Sequence, residues 1–171
     1  EYFSGNEFDV LDRFYNAAKL ANCSSVVRLT ADCPFIDKGI VDEVIELYFK
    51  SNSDYVSNTD PPTFPDGLDV EVFSFPTLEK AYKEATTKYD REHVTPYIRN
   101  NKKFNKSNYT NEKDFSSERL TLDTNEDLIV IKNIINHFSK KPDFSWIDIL
   151  KLKKSNPEYF LANRNIKRNE D

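Results

Sequence analysis

Apolar positions recur along most of the chain with a helical period, and short β-branched runs separate the helical stretches. In residues 8–22, Val10, Leu11, Phe14, Ala17, Ala18 and Ala21 share one face at the spacing of an α-helix. Residues 25–30, "SVVRLT", read as a strand. Residues 38–50 return to the helical period, with Ile40, Val41, Val44, Ile45, Tyr48 and Phe49 on one side. A short strand is predicted over 54–59, and "DPPTFPDG", with three prolines and a glycine, is predicted to be a loop. Residues 68–75 alternate as a strand, and 76–85 form a helix with Pro76 in its first turn. Residues 89–101 are helical in pattern, but Pro96 falls inside and should kink or break them. The polar stretch 103–118 suggests an edge strand with a loop. A strand at 118–123, a strong helix at 124–138 and a short helix at 145–154 follow. Beyond Asn156 the chain reads as a linker or a docking arm. This alternation predicts an α/β layer fold with a largely parallel sheet, and no internal repeat or low-complexity tract interrupts it.

Composition narrows the function classes. The 171 residues suit one domain of ordinary size, or most of a larger one. Hydrophobic residues are 38% and charged residues 31%, a polar balance, but 13 Phe and 9 Tyr supply apolar surface for a core. A net charge of -5 argues against a nucleic-acid partner, and only the tail "NRNIKRNED" is mildly basic. No apolar run approaches the ~20 residues that span a bilayer. With no secretion signal in these residues, Cys23 and Cys33 are expected to be reduced cytosolic thiols. The chain starts at Glu1 and contains no methionine, as expected of a processed chain or an excerpt of a longer one. Gly5, Gly39 and Gly67 lie too far apart to build a glycine-rich phosphate loop.

Two aspartates stand out by position. In open α/β sheets ligands bind beyond the carboxyl ends of the strands, where Asp32 and Asp123 both fall. Asp32, two residues before Pro34, suits a turn equally well. Thr124 and Asp127 form a near capping box, so Asp127 is expected to be structural, and Asp123 is either a second cap or free for chemistry. Two carboxylates at adjacent strand ends suit a hard divalent cation such as Mg²⁺, which takes few protein carboxylates and keeps water and phosphate oxygens. Composition does not separate that site from two unrelated caps. Arg28 and Arg119, each on a strand leading to an aspartate, either pair with carboxylates or line a cleft. His137 belongs to the last turn of its helix, and Cys33 is expected simply to pack.

The segments "DVLDRFYNAAK", "VVRLTADCPFID", "DYVSNT", "FPDGLDVEVFSFPTLEKAY", "REHVTPYIRNN", "RLTLDTNEDL" and "NPEYFLANRNIKRNE", in that order, resemble the cytidylyltransferase-like family typified by spore coat polysaccharide biosynthesis protein F. That family is related to the CMP-sialate and Kdo cytidylyltransferases. The resemblance implies a Rossmann-type, GT-A-like nucleotidyltransferase fold in three layers, with residues 1–155 the larger C-terminal part of the domain and 156–171 a polar tail or linker. It implies transfer of a cytidylyl group from CTP to a sugar or sugar acid with release of pyrophosphate, in the cytoplasm, for surface polysaccharide biosynthesis. It also implies Mg²⁺ bound by Asp32 and Asp123, no membrane partner, and a homodimer. Arg13 matches a segment near the nucleotide, and Asp69, Glu71, Glu92 and His93 match segments facing the sugar. Asp69 and Glu71, two apart on a strand, share a face and either meet solvent or bond sugar hydroxyls beside the proline-rich loop. His93 is either a structural hydrogen-bonding residue or one that orients the sugar.

Two departures accompany the resemblance. The family begins with a βαβ portion whose Gly-, Arg- and Lys-rich loop grips the triphosphate. That portion is expected to be missing here, so the 171 residues alone should be inactive with CTP. Ala31 stands where relatives often have Gly. Two rival readings stay open: a non-catalytic sugar-binding or docking module of a larger polypeptide, and a GT-A glycosyltransferase whose metal motif would be the weak D-x-E of Asp69 and Glu71.

Overall fold

The structure is a computed structural model that describes residues 2–168. The chain divides into two compact units. Unit 1 holds residues 1–28, 44–57 and 71–109, and unit 2 holds 29–43, 58–70 and 110–171.

Unit 1 is built around a four-stranded mixed sheet. Its strands are β1 (Ser25–Arg28), β2 (Tyr55–Ser57), β3 (Glu71–Ser74) and β4 (Lys106–Asn108), in the order β1-β3-β2-β4. β3 runs antiparallel to both of its neighbours, Val72 lying opposite Val27 and Val56. β4 runs parallel to β2 and forms an edge, as the polar pattern suggested. The largely parallel expectation therefore needs correction. β1, β2 and β4 share a direction, but β3 inserts between β1 and β2, so two of the three ladders are antiparallel. The strand arriving from the proline-rich loop finds a slot flanked by two strands that run parallel to each other, and its Val72 and Phe73 side chains are buried there.

Helices cover this sheet for reasons local to their sequence. In α1 (Val10–Leu20), Asp9 caps the N-terminus by accepting from the Asp12 N–H at 3.0 Å, and Leu11, Tyr15 and Ala18 are buried at helical spacing. In α3 (Phe75–Glu84), Ser74 accepts from the Thr77 N–H at 3.1 Å, Pro76 sits in the first turn, and Leu78 and Ala81 face inward. Tyr15 stacks on Tyr82 with ring centroids 4.0 Å apart, joining the two helices. Arg91 donates to both oxygens of Asp9, at 3.0 and 2.7 Å, and so ties the α1 cap to α4 (Lys88–His93). The predicted helix over 89–101 is two: α4 ends at His93 and α5 (Pro96–Asn100) restarts at the proline. Between them Val94 has φ +70°, and the Thr95 N–H bonds the His93 carbonyl at 2.8 Å, a γ-turn that reverses the chain. The first half of α2 (Lys38–Ser51) belongs to unit 2 and its second half to unit 1.

Unit 2 holds α6 (Asn125–His137), α7 (Trp146–Ser155) and a 3₁₀ turn (Pro157–Phe160) around a core of Leu120, Val130, Ile134, Ile149, Leu152 and Phe160. Both helices open with a full capping box, Thr124 with Asp127 and Ser145 with Asp148. The sequence 118–123, expected as a strand, makes one bridge, between Arg119 and Asp66, and no ladder among the described residues, so Asp123 does not stand at the end of a sheet strand as expected. The segment after Asn156, expected as a polar tail or linker, folds back: Phe160 enters the core, and the Asn133 side chain donates to the Tyr159 carbonyl at 3.0 Å. Residues 169–171 of that segment lie outside the described residues. Among the described residues no helix is long and apolar enough to cross a membrane.

Candidate functional site

The site grows from a close approach of two backbones in unit 2. The Asp66 N–H bonds the Glu118 carbonyl at 2.8 Å, and the Leu120 N–H bonds the Asp66 carbonyl at 2.7 Å. The next residue, Gly67, has φ +96°, and a Cβ there would lie 2.6 Å from the Thr121 nitrogen. Only glycine supplies that conformation and that clearance together. A second pair of bonds brings in the turn after β1. The Asp32 carbonyl accepts from the Leu122 N–H at 2.8 Å and from the Thr121 hydroxyl at 3.2 Å. Asp32 and Asp123, called from positions far apart in the chain, thus sit on segments that hydrogen-bond to each other.

Arg119 is the hub of the side chains gathered there, with only 6% of its side chain exposed. Its Nε and Nη2 donate to the two oxygens of Asp127, both at 2.9 Å. Nη2 also donates to Asp123 at 2.8 Å, and Nη1 to Asp66 at 3.1 Å. Asp127 is fully buried and accepts further from the N–H groups of Asp123 and Thr124, at 3.1 and 3.0 Å, and from the Asn163 amide at 2.9 Å. Burial alone would raise the Asp127 carboxyl, but the bonds from Arg119, Asn163 and the backbone outweigh it and hold the group far below the usual carboxylate range. Arg119 is pushed up in turn, first by its bond to Asp127.

Arg168 closes the other side. Its Nη2 donates to Asp69 at 2.7 Å, its Nε lies 3.6 Å from Asp66, and its Nη1 reaches the Phe64 carbonyl at 3.5 Å. Asp66 is raised, chiefly by burial and further by Asp69 and Asp123, against the opposing pull of Arg168 and Arg119. Four carboxylates, Asp66, Asp69, Asp123 and Asp127, therefore pair with two guanidiniums, and the backbone of Asp32 is bonded to the segment that leads into Asp123.

Asp32 is exposed, and its carboxylate accepts from the Thr30 hydroxyl and from the Cys33 thiol. Asp123 keeps 31% of its side chain exposed; its Oδ2 is bonded to Arg119, and its Oδ1 takes no donor among the described residues. The Cys33 thiol is pushed up to about 12 by burial, with Asp32 and Asp69 adding to the shift, so at neutral pH it is a packed thiol and no nucleophile. Two carboxylates on adjoining segments, one with an oxygen left over, fit the sparse protein donor set of Mg²⁺. No group of three or more ligating side chains that would suit a metal held wholly by protein occurs among the described residues.

The other sequence candidates divide between the units. Asp69 belongs to unit 2 and is paired with Arg168. Glu71 belongs to unit 1 and is 4% exposed; it accepts from Arg28 and from the Tyr55 hydroxyl, the latter at 2.6 Å. β3 begins at Glu71, so Asp69 and Glu71 do not form the shared strand face expected of them. Arg13 lies on α1, with Nη2 donating to the Glu7 carbonyl at 3.3 Å. Glu92 and His93 end α4, both exposed, the His93 ring against Tyr89 at 4.4 Å between centroids. From sequence Arg119 either pairs with carboxylates or lines a cleft, and the structure decides for pairing. Asp66 lies in the proline-rich loop, and Asn163 and Arg168 in the stretch expected as a tail, where no local pattern marks them.

A mixed α/β fold that gathers an acidic cluster at its chain crossings is consistent with a nucleotidyltransferase, and comparison with known proteins specifies the kind. The profile of the Cytidylyltransferase family matches residues 2–166. An uncharacterized protein of Methanocaldococcus jannaschii is 39% identical over 96% of this chain and 68% of its own length. Spore coat polysaccharide biosynthesis protein SpsF of Bacillus subtilis is 31% identical over 91% of this chain and 65% of its own. A solved cytidylyltransferase from Leptospira borgpetersenii superposes with a TM-score of 0.87 at 37% identity, over 97% of this chain and 70% of that one. The chain belongs to the cytidylyltransferase family, as its motifs implied, and spans about two thirds of the length of the curated relatives it matches.

Proposed function

We propose that the protein carrying this chain transfers a cytidylyl group from CTP to a sugar or sugar acid, with pyrophosphate as the other product, for surface polysaccharide biosynthesis. The observation that supports the reading is the stitching of the Asp32 turn to Thr121 and Leu122, which puts Asp32 and Asp123 on segments bonded to each other. Family membership supplies the nucleotide, and the relative involved in spore coat polysaccharide biosynthesis favours a sugar acceptor.

In this reading Asp32 and Asp123 hold Mg²⁺. A bound Mg²⁺ would neutralise phosphate charge and lower the pKa of an attacking hydroxyl. The acceptor hydroxyl forms a bond to the α-phosphorus in line, the bond to the β-phosphate bridging oxygen breaks, and the hydroxyl proton passes to solvent. The family resemblance offers Arg13 for the nucleotide and Asp69, Glu92 and His93 for the sugar. Glu71, which it also offers for the sugar, has its carboxylate already paired with Arg28 and Tyr55. The same pairing weighs against the D-x-E glycosyltransferase reading, which needs Glu71 free for a metal. Cys23 and Cys33, both free thiols, suit the cytoplasm.

The test is pyrophosphate release from CTP against a panel of sugars and sugar acids, using the full-length gene product. Asp123→Asn should lower kcat by two or more orders of magnitude with the melting temperature little changed. Wild-type turnover by that variant would refute the assignment.

A further inference from the structure

We propose that Arg119 is the positioning residue of this site: by holding one oxygen of Asp123 it fixes the carboxylate and leaves the other oxygen for a divalent ion. The inference rests on the reading above, in which Asp123 is a metal ligand, and adds what makes it a good one.

Both the backbone and the side chain of Asp123 trace to the same buried pair. Its N–H donates to Asp127 Oδ2 at 3.1 Å, and its Oδ2 accepts from Arg119 Nη2 at 2.8 Å. Arg119 and Asp127 are in turn locked to each other by two parallel bonds of 2.9 Å, a fork that only a guanidinium can make. Asp127 cannot drift, because the α6 capping box and Asn163 also hold it. Without Arg119 the partly exposed Asp123 side chain would sample several rotamers, and each binding event would carry the entropy of choosing one. The orienting partners of a metal ligand are commonly worth 10–100-fold in affinity, which sets the scale expected here.

The experiment measures Mn²⁺ binding to the full-length protein by electron paramagnetic resonance, with the melting temperature read on the same samples. Arg119→Lys keeps the charge and most of the stem but not the fork, and should weaken Mn²⁺ binding by roughly 10–100-fold. Asp123→Glu keeps the carboxylate but moves it one methylene beyond its place at Arg119, and should weaken binding similarly in a protein that folds normally. Wild-type affinity in Arg119→Lys or in Asp123→Glu would overturn the positioning role, while loss of Mn²⁺ binding in Asp123→Asn would still uphold the metal reading. Failure of the wild-type protein to bind Mn²⁺, or full binding by Asp123→Asn, would overturn the metal reading and the positioning role with it.

Discussion

Gly67→Ala is the substitution that most directly probes how the site is assembled. The added methyl would collide with the Leu120–Thr121 peptide group, 2.6 Å from the Thr121 nitrogen, 2.7 Å from the Leu120 carbonyl carbon and 2.8 Å from its oxygen. No side-chain rotation can relieve that overlap, so the 118–121 segment or the 66–68 turn must move. Forcing atoms into a packed region costs about 1–3 kcal/mol. The φ of +96° adds the left-handed penalty of an L-residue, about 1–2 kcal/mol. A loss near 3 kcal/mol in a chain of this size corresponds to roughly 6–12 °C in melting temperature. The displacement should also propagate, because the bonds between Asp66 and residues 118–120 flank Gly67 and precede Asp123 by only a few positions. Differential scanning calorimetry gives the first number and Mn²⁺ titration of the folded protein the second. Gly39→Ala is the control: the new methyl would meet only the Asp37 side chain at 3.1 Å, and the change should stay within about 1 kcal/mol. The reasoning fails if Gly67→Ala melts within a degree or two of wild type.

The remaining expectations concern buried carboxylates. The folded Asp127 carboxyl titrates below its unfolded counterpart, so the stability it contributes is complete above the unfolded pKa of about 3.9 and drains away as pH falls through the folded value. Asp127→Asn should therefore cost stability at neutral pH, about 3–5 kcal/mol for removing one partner of a buried pair, and should flatten the loss between wild type and variant below about pH 4; equal urea midpoints at pH 7 would refute this. Glu71→Gln should destabilise unit 1 by about 1–3 kcal/mol, by leaving Arg28 without its carboxylate, while Tyr55→Phe should cost about 1 kcal/mol. For the Glu71 variant, an unchanged stability together with a raised KM for sugar would show instead that this carboxylate meets substrate directly.

What the sequence determined by itself is what forms within about four residues. The capping box at Thr124, the buried face of α1, the start of α3 at Pro76 and the break at Pro96 all depend on neighbours one turn away, so their signal survives in any window of the chain. The family was legible for a related reason: an ordered series of such local motifs is preserved as text. The two aspartates could be singled out, but not what holds them. Arg119 meets Asp66 across 53 positions, the Thr121 hydroxyl meets the Asp32 carbonyl across 89, and Arg168 meets Asp69 across 99. A charge in a sequence carries no record of which opposite charge it will face, since Coulomb attraction is undirected and every Asp–Arg pair looks alike until the backbone fixes the distance. For the same reason only the tertiary structure decided that β3 runs antiparallel into the sheet, that Asp69 and Glu71 part company, and that the stretch after Asn156 folds onto the acidic cluster it had no visible reason to reach.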